Sequence, residues 1–225
     1  MNGTTSGGDA PRRLAVFDLD GTLTRRDTFF PFVLGLLWRH PSRWPRVLLL
    51  ISPVAGYLLR RDRGALKGGI LHTLFDGLAR EQVELWAQAF AAAVVPTRMF
   101  SQAVAAFRQH LGAGDHVVLL SASPDLYVPE IGRLLGANEV VCTEVRWAGD
   151  RLDGRLTSAN RRDHEKARVL AGLRARLPGI PAIAYGNSTV DLIHMANCEA
   201  AVYVNARPAL AARLAQRGMR CVQWA

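Results

Sequence analysis

The 225-residue chain is short of cysteine, lysine and aromatic side chains, and each shortage excludes something. Its three cysteines, Cys142, Cys198 and Cys221, are odd in number, far apart and without metal-ligand spacing. That argues against a disulfide framework or a zinc site and makes a reducing, cytoplasmic compartment the expectation. Lys67 and Lys166 are the only lysines among 28 basic residues, a skew that base composition explains as readily as selection for phosphate binding. The 20 glycines and 11 prolines are scattered rather than periodic, which excludes collagen-like repetition and low-complexity disorder. There is no internal repeat. Residues 1–10, MNGTTSGGDA, have neither a basic n-region nor an apolar h-region, so they read as a flexible tail rather than a secretory signal.

What is present is an ordinary globular composition, 49% hydrophobic and 21% charged. At this length it predicts one full core with an insertion, or one domain plus a small one. The formal net charge of +9 asks for an anionic partner: a phosphate ester, an anionic membrane surface or nucleic acid. Charge alone does not choose among them.

Short apolar runs at 14–17, 117–120, 140–145, 181–185 and 201–204 read as buried strands. Helical patterns at 98–111, 125–135, 165–177, 191–196 and 208–216 alternate with them. Such alternation predicts an α/β fold, a parallel sheet covered by helices on both faces. Residues 146–156 interrupt the alternation and read as a β-hairpin after the third strand, with Gly and Asp supplying the turn.

Residues 25–95 differ, because they carry no credible strand and at least three helix-like segments, so they are expected to be an all-helical insertion after the first strand. Residues 28–38 contain no charge, and neither do the 13 residues 47–59. Thirteen helical residues span about 20 Å against a hydrocarbon core of roughly 30 Å, and Pro53 would interrupt them, so neither segment is a transmembrane span. Between Arg25 and His72 stand nine basic residues and two acids, a balance of +7. With Trp38, Trp44 and Tyr57 nearby, the segment suits docking at a membrane surface and equally suits a buried hairpin with a solvated basic rim.

Four motifs carry chemistry. The first strand ends in Asp18-Leu19-Asp20-Gly21-Thr22, two carboxylates spaced so that one can attack while the other handles protons, although Asp-Gly is also a plain turn signal. The second strand ends in Ser121, and the following Ala122-Ser123-Pro124 is expected to open a helix with free N–H groups aimed at a phosphate. Lys166 stands at the start of the helix after the hairpin. Gly186-Asn187-Ser188-Thr189-Val190-Asp191 sets an amide and a carboxylate four residues apart after a later strand, oxygens suited to a hard cation such as Mg²⁺.

In this order, strand-DLDGT, strand-S, helix-K and strand-GNSTVD resemble the four motifs of the haloacid dehalogenase superfamily of phosphohydrolases, over residues 14–195. The resemblance implies a Rossmann-like parallel sheet with a phosphohydrolase core at 11–24 and 96–225 and a helical cap at 25–95. A helical cap directly after the first motif is similar to the phosphoserine-phosphatase-like branch, as is Leu120-Ser121-Ala122-Ser123-Pro124. It implies Asp18 as nucleophile forming an aspartyl-phosphate and Asp20 as general acid, then base. It further implies Ser121 on a phosphoryl oxygen, Lys166 neutralising phosphate and Asp18, and Thr22, Ser123 and Arg25 as further phosphate or substrate contacts. Mg²⁺ would be held by Asp18, the Asp20 backbone carbonyl and the fourth motif, Asn187 and Asp191. The fourth motif usually reads Gly-Asp; here Gly186-Asn187 lacks one negative charge, which predicts weaker metal affinity unless Asp191 takes over. A silenced member that only binds phosphorylated ligands is the non-enzymatic rival.

The cap sets the substrate. Its apolar, Arg-rich character, with Phe29-Phe30-Pro31-Phe32 at its start, looks like the cap of the bacterial phosphatidylglycerophosphatase C type. A phosphorylated lipid headgroup, with peripheral contact of the cap on anionic membrane, fits both features. A small soluble phosphomonoester such as phosphoserine is the runner-up. Nucleic acid is disfavoured, since the charge clusters on an apolar element and no recognition fold is present.

Overall fold

The computed structural model describes residues 11–225; the tail expected at 1–10 lies outside them. The order is β1 (Leu14–Phe17), α1 (Phe29–Arg39), a 3₁₀ helix (Pro41–Leu50), α2 (Ile51–Arg60), α3 (Arg63–Phe75), α4 (Arg80–Arg98) and α5 (Ser101–Gly112). There follow β2 (His116–Pro124), α6 (Val128–Leu135), β3 (Glu139–Thr143), β4 (Val145–Ala148), β5 (Arg151–Leu156) and α7 (His164–Arg176). The chain closes with β6 (Ala182–Gly186), α8 (Leu192–Met195), β7 (Ala200–Val204), α9 (Pro208–Ala215) and β8 (Arg220–Val222).

Six strands form one parallel sheet in the order β3-β2-β1-β6-β7-β8, and β4 pairs with β5 as an antiparallel hairpin. The apolar strands are continuous rather than alternating because both faces are covered. Ala15 and Phe17 of β1, with Val117 and Leu119 of β2, enter one core with Phe107 of α5 and Ile131 of α6. Leu14 and Val16, with Val118 and Leu120, enter the other, against Leu170 and Leu173 of α7 and Leu214 of α9. The strand order reverses around β1, which has β2 on one side and β6 on the other. The carboxyl ends of these three strands therefore flank the crevice where open α/β sheets bind ligands.

Several element boundaries differ from the sequence reading. β2 runs through Ser121-Ala122-Ser123 to Pro124, which pairs with Thr143, and the next helix begins only at Val128. The helix N-terminus expected at 122–124 is absent because the strand continues there, and the Ser123 N–H donates to Ser121 Oγ at 3.0 Å. The last helix of the insertion, α4, runs past residue 95 and through Pro96 to Arg98. β8 was not anticipated, since three residues offer no pattern to read.

The insertion packs as helices on helices. Phe32 of α1 stacks on Tyr127 at 4.5 Å between ring centroids, joining the insertion to the core. α3 lies against β5 of the hairpin at Gly154 (φ +86°), where a Cβ would meet the His72 backbone N at 2.5 Å, so both the positive φ and the close approach require glycine. The uncharged run 47–59 is not one helix. It breaks at Leu50, and Pro53 falls in the first turn of α2, where a missing N–H costs nothing. Neither the 3₁₀ helix nor α2 contains a buried residue.

Candidate active site

The loop after β1 holds the first carboxylate. Asp18 follows Phe17 directly, its own N–H tied to the carbonyl of Tyr185 on β6 at 3.1 Å, so the neighbouring strand sets its position. Its side chain is buried: Oδ2 accepts from Thr22 Oγ1 at 2.9 Å and Oδ1 from Lys166 Nζ at 2.5 Å. Burial pushes the Asp18 carboxyl up to about 6, with Lys166 pulling against it. Lys166 sits in the first turn of α7, and its ammonium also donates to Asp191 Oδ1 at 2.8 Å. Burial would lower that ammonium, but the carboxylates of Asp18 and Asp191 outweigh it and hold it above its ordinary value.

Asp20 lives in a separate set of hydrogen bonds. Its Oδ1 accepts from the N–H and hydroxyl of Thr28 at 2.8 and 2.6 Å, and its Oδ2 from Ser123 Oγ at 2.6 Å. Burial raises this carboxyl while the hydroxyl donors pull it down. The two acids of one short loop thus have different partners, the arrangement that lets two carboxylates take different roles. Gly21, directly after Asp20, has φ +83°, and any side chain there would displace Asn187, since its Cβ would come 2.1 Å from Asn187 Nδ2.

The remaining sequence candidates fall as follows. Thr22 is buried and serves Asp18, and Ser123 serves Asp20; both reach the cleft through those acids. Ser121 is fully buried beneath it, and Ala122 is the β2 residue that lines the cleft. Arg25 lines the cleft, with its guanidinium 5.8 Å from the centre of the Phe100 ring. Asn187 Oδ1 lies 3.3 Å from Thr22 Oγ1, so the amide oxygen and Asp18 Oδ2 converge on one hydroxyl. Asp191, expected at the metal, has both oxygens engaged: Oδ1 with Lys166, and Oδ2 with the N–H and hydroxyl of Ser188 at 3.1 and 2.8 Å. Burial would raise its carboxyl, but Lys166 outweighs this and holds it low. In this arrangement Asp191 orients the lysine.

Among the described residues no three His, Cys, Asp or Glu side chains gather as a cation site. The donors that do converge, Asp18 Oδ2 and Asn187 Oδ1, nonetheless fit Mg²⁺, which keeps several waters and takes one or two carboxylates plus substrate oxygens.

Sequence reasoning missed part of the cleft, a space of about 420 Å³. Its basic lining is Arg25, Arg26, Arg63, Lys67, Arg162 and Lys166, against the acids Asp18, Asp20, Asp27 and Asp191, an excess of two positive charges. Lys67 comes from α3 and donates to the Ala122 carbonyl at 2.7 Å, tying the insertion to the end of β2; burial lowers its ammonium. Thr28, directly before α1, bonds Asp20, and the Tyr127 hydroxyl from the turn before α6 lies 2.9 Å from the Thr28 hydroxyl. The signal for Lys67 was visible: the chain has two lysines, and both line this cleft.

The geometry agrees with comparisons to known proteins. Protein CicA of Caulobacter vibrioides (strain NA1000 / CB15N) is 37% identical over 183 residues, covering 79% of each chain. A protein of unknown function from Bordetella pertussis Tohama I superposes with a TM-score of 0.73 at 22% identity, covering 95% of this chain and 99% of that one. A phospho-aspartyl intermediate analogue of phosphoserine phosphatase superposes with a TM-score of 0.63 at 16% identity, covering 94% and 93%. Residues 15–196 match the haloacid dehalogenase-like hydrolase family, which carries the motifs and contains the cleft described above, and the chain belongs to that family.

Proposed function

We propose that the protein is a Mg²⁺-dependent phosphomonoesterase that works through an aspartyl-phosphate on Asp18. The observation that carries this reading is the pair of buried carboxylates on one loop, one bonded to Lys166 and the other to Thr28 and Ser123. An Asp18 oxygen attacks phosphorus, Thr22 and Lys166 hold the carboxylate in place, and Asp20 gives its proton to the departing alcohol. Asp20 then takes a proton from water as that water attacks the acyl-phosphate, which releases inorganic phosphate and regenerates Asp18. The cations of the cleft compensate the charge of the phosphoryl oxygens throughout. Held by Asp18, Asn187 and the Asp20 carbonyl, Mg²⁺ would add further charge compensation.

For the substrate we favour a phosphorylated lipid headgroup such as phosphatidylglycerophosphate, as in the phosphatidylglycerophosphatase C type. A second cavity of about 240 Å³ has Phe29, Phe30, Tyr57, Leu66 and Ile70 in its wall. It shares Asp27, Arg63, Lys67 and Arg162 with the catalytic cleft. A phosphate ester with an apolar body fills both. The likeness to phosphoserine phosphatase favours a soluble phosphomonoester as the second reading. Phosphate release from phosphatidylglycerophosphate, phosphatidic acid, phosphoserine and nucleotide monophosphates, with and without Mg²⁺, separates them. Preference for the lipids supports the first reading, preference for phosphoserine the second, and no Mg²⁺-dependent release from any of them rejects the enzymatic account.

A further inference from the structure

Thirteen large apolar side chains are exposed among the described residues, and eleven of them lie between Phe30 and Leu59; only Leu85 and Leu134 lie elsewhere. Leu48, Ile51 and Leu59 are 74%, 76% and 85% exposed. The segment that carries them is fastened in place. Arg43 donates to the carbonyls of Leu74 and Asp76, Arg46 donates to that of Asp76, and Trp44 Nε1 donates to that of Leu37. α2 sits so close on α3 that a Cβ at Gly69 would lie 2.6 Å from Pro53 Cβ. So many exposed apolar side chains on one short stretch of chain mark an interaction site.

The charges around it say what kind. Between Arg39 and Arg63 there are six arginines and one carboxylate, Asp62, a balance of +5. Arg60 and Arg61 are exposed at the end of α2, beside Leu58 and Leu59. Trp38 and Trp44, 4.6 Å apart edge to face and both exposed, stand at the other end. A second copy of the chain set against this face would bring positive charge against positive charge, since the exposed Arg60, Arg61 and Arg63 outnumber Asp62. An anionic bilayer accepts all three features at once: leucines at the acyl boundary, tryptophans at headgroup level, arginines on the headgroups.

We propose that residues 41–61 dock the protein on the surface of an anionic lipid bilayer. Tyr57 of the docking segment and Phe30 beside it line the second cavity, which shares its charged residues with the catalytic cleft. Docking therefore brings that cavity to the membrane, and the delivery of a lipid to it rests on the lipid-phosphate reading above. The docking itself does not.

The test is co-sedimentation of the full chain with vesicles of phosphatidylcholine alone and of phosphatidylcholine mixed with phosphatidylglycerol. The native protein should bind the mixed vesicles at low salt, bind pure phosphatidylcholine weakly, and be released as salt shortens the screening length below roughly 10 Å. Two variants read the two components: Leu48→Ser with Leu49→Ser, Leu58→Ser and Leu59→Ser for the apolar face, and Arg60→Glu with Arg61→Glu for the charge. Each should weaken vesicle binding on the order of tenfold or more while hydrolysis of p-nitrophenyl phosphate stays at the native rate. Absence of binding at low salt overturns the proposal, as does binding that neither variant weakens. Self-association of the native chain that disappears in the serine variant also overturns it, because the face is then covered by a second copy. Vesicle binding without turnover of phosphatidylglycerophosphate removes the lipid substrate and leaves the docking. Turnover of that lipid in detergent without vesicle binding does the reverse.

Discussion

Two uncharged apolar runs in this chain have opposite fates. Leu14–Phe17 is buried on every residue, Leu14 at 1% exposure and its three successors at 0%. Residues 47–59 are richer in leucine and contain no buried residue. The difference lies in what surrounds each run. β1 has a paired strand on either side and helices over both faces, whereas α2 packs chiefly on α3 and the 3₁₀ helix and faces solvent elsewhere. An apolar run therefore states that burial is favourable, and topology decides whether the chain supplies the partner.

The contrast can be broken by substitution. Phe17 stacks on Tyr185 at 4.2 Å and packs on Phe107 at 5.0 Å, so Phe17→Ala should cost about 3–5 kcal/mol in denaturant unfolding. Leu48→Ala should stay within about 0.5 kcal/mol in the same assay. A comparable loss at both positions would mean that the exposed run is covered in the folded protein.

Lys67 reaches from α3 to the carbonyl of Ala122 and lines both cavities. Lys67→Ala should raise KM about tenfold with a smaller fall in kcat, since it holds substrate charge without touching Asp18. A pure kcat effect would move Lys67 into the chemistry.

Asp125, beside the second-motif loop, accepts from the Val145 N–H at 3.1 Å, and burial pushes its carboxyl up to about 6. The folded state then binds more protons than the unfolded state between about pH 4 and 6, so this residue's contribution to stability is present at low pH and is lost as pH rises through 6. Asp125→Asn keeps the acceptor and removes the charge. It should flatten that slope and stabilise the protein at pH 7 by about 1 kcal/mol, read from urea melts at both ends of the window. An unchanged slope would show that Asp125 is solvated.

Much of this was legible in the sequence. The apolar strands, the helices between them and the hairpin could be read because each is a local pattern with its own period, and the carboxylates of Asp18 and Asp20 stood in a motif. Three things were not legible. Ser121-Ala122-Ser123-Pro124 carries helix-start chemistry, yet pairing of Pro124 with Thr143 keeps it in the sheet, a long-range term that no local rule contains. Asp191 has the residue type of a metal ligand, and only the fold reveals that Lys166 and Ser188 occupy both its oxygens. Lys67 lies 49 residues after Asp18 on a separate helix, so its place in the cleft depends on how the insertion packs; its rarity as a lysine was the available clue.

The account rests on Asp18 becoming phosphorylated. Acid quenching of the native protein during turnover of a substrate carrying radiolabelled phosphate tests that most directly. The account predicts label on the protein that hydroxylamine removes, that peptide mapping assigns to Asp18, and that is absent in Asp18→Asn together with phosphate release. Turnover by Asp18→Asn at the native rate, or labelled protein with the label on another residue, would contradict it.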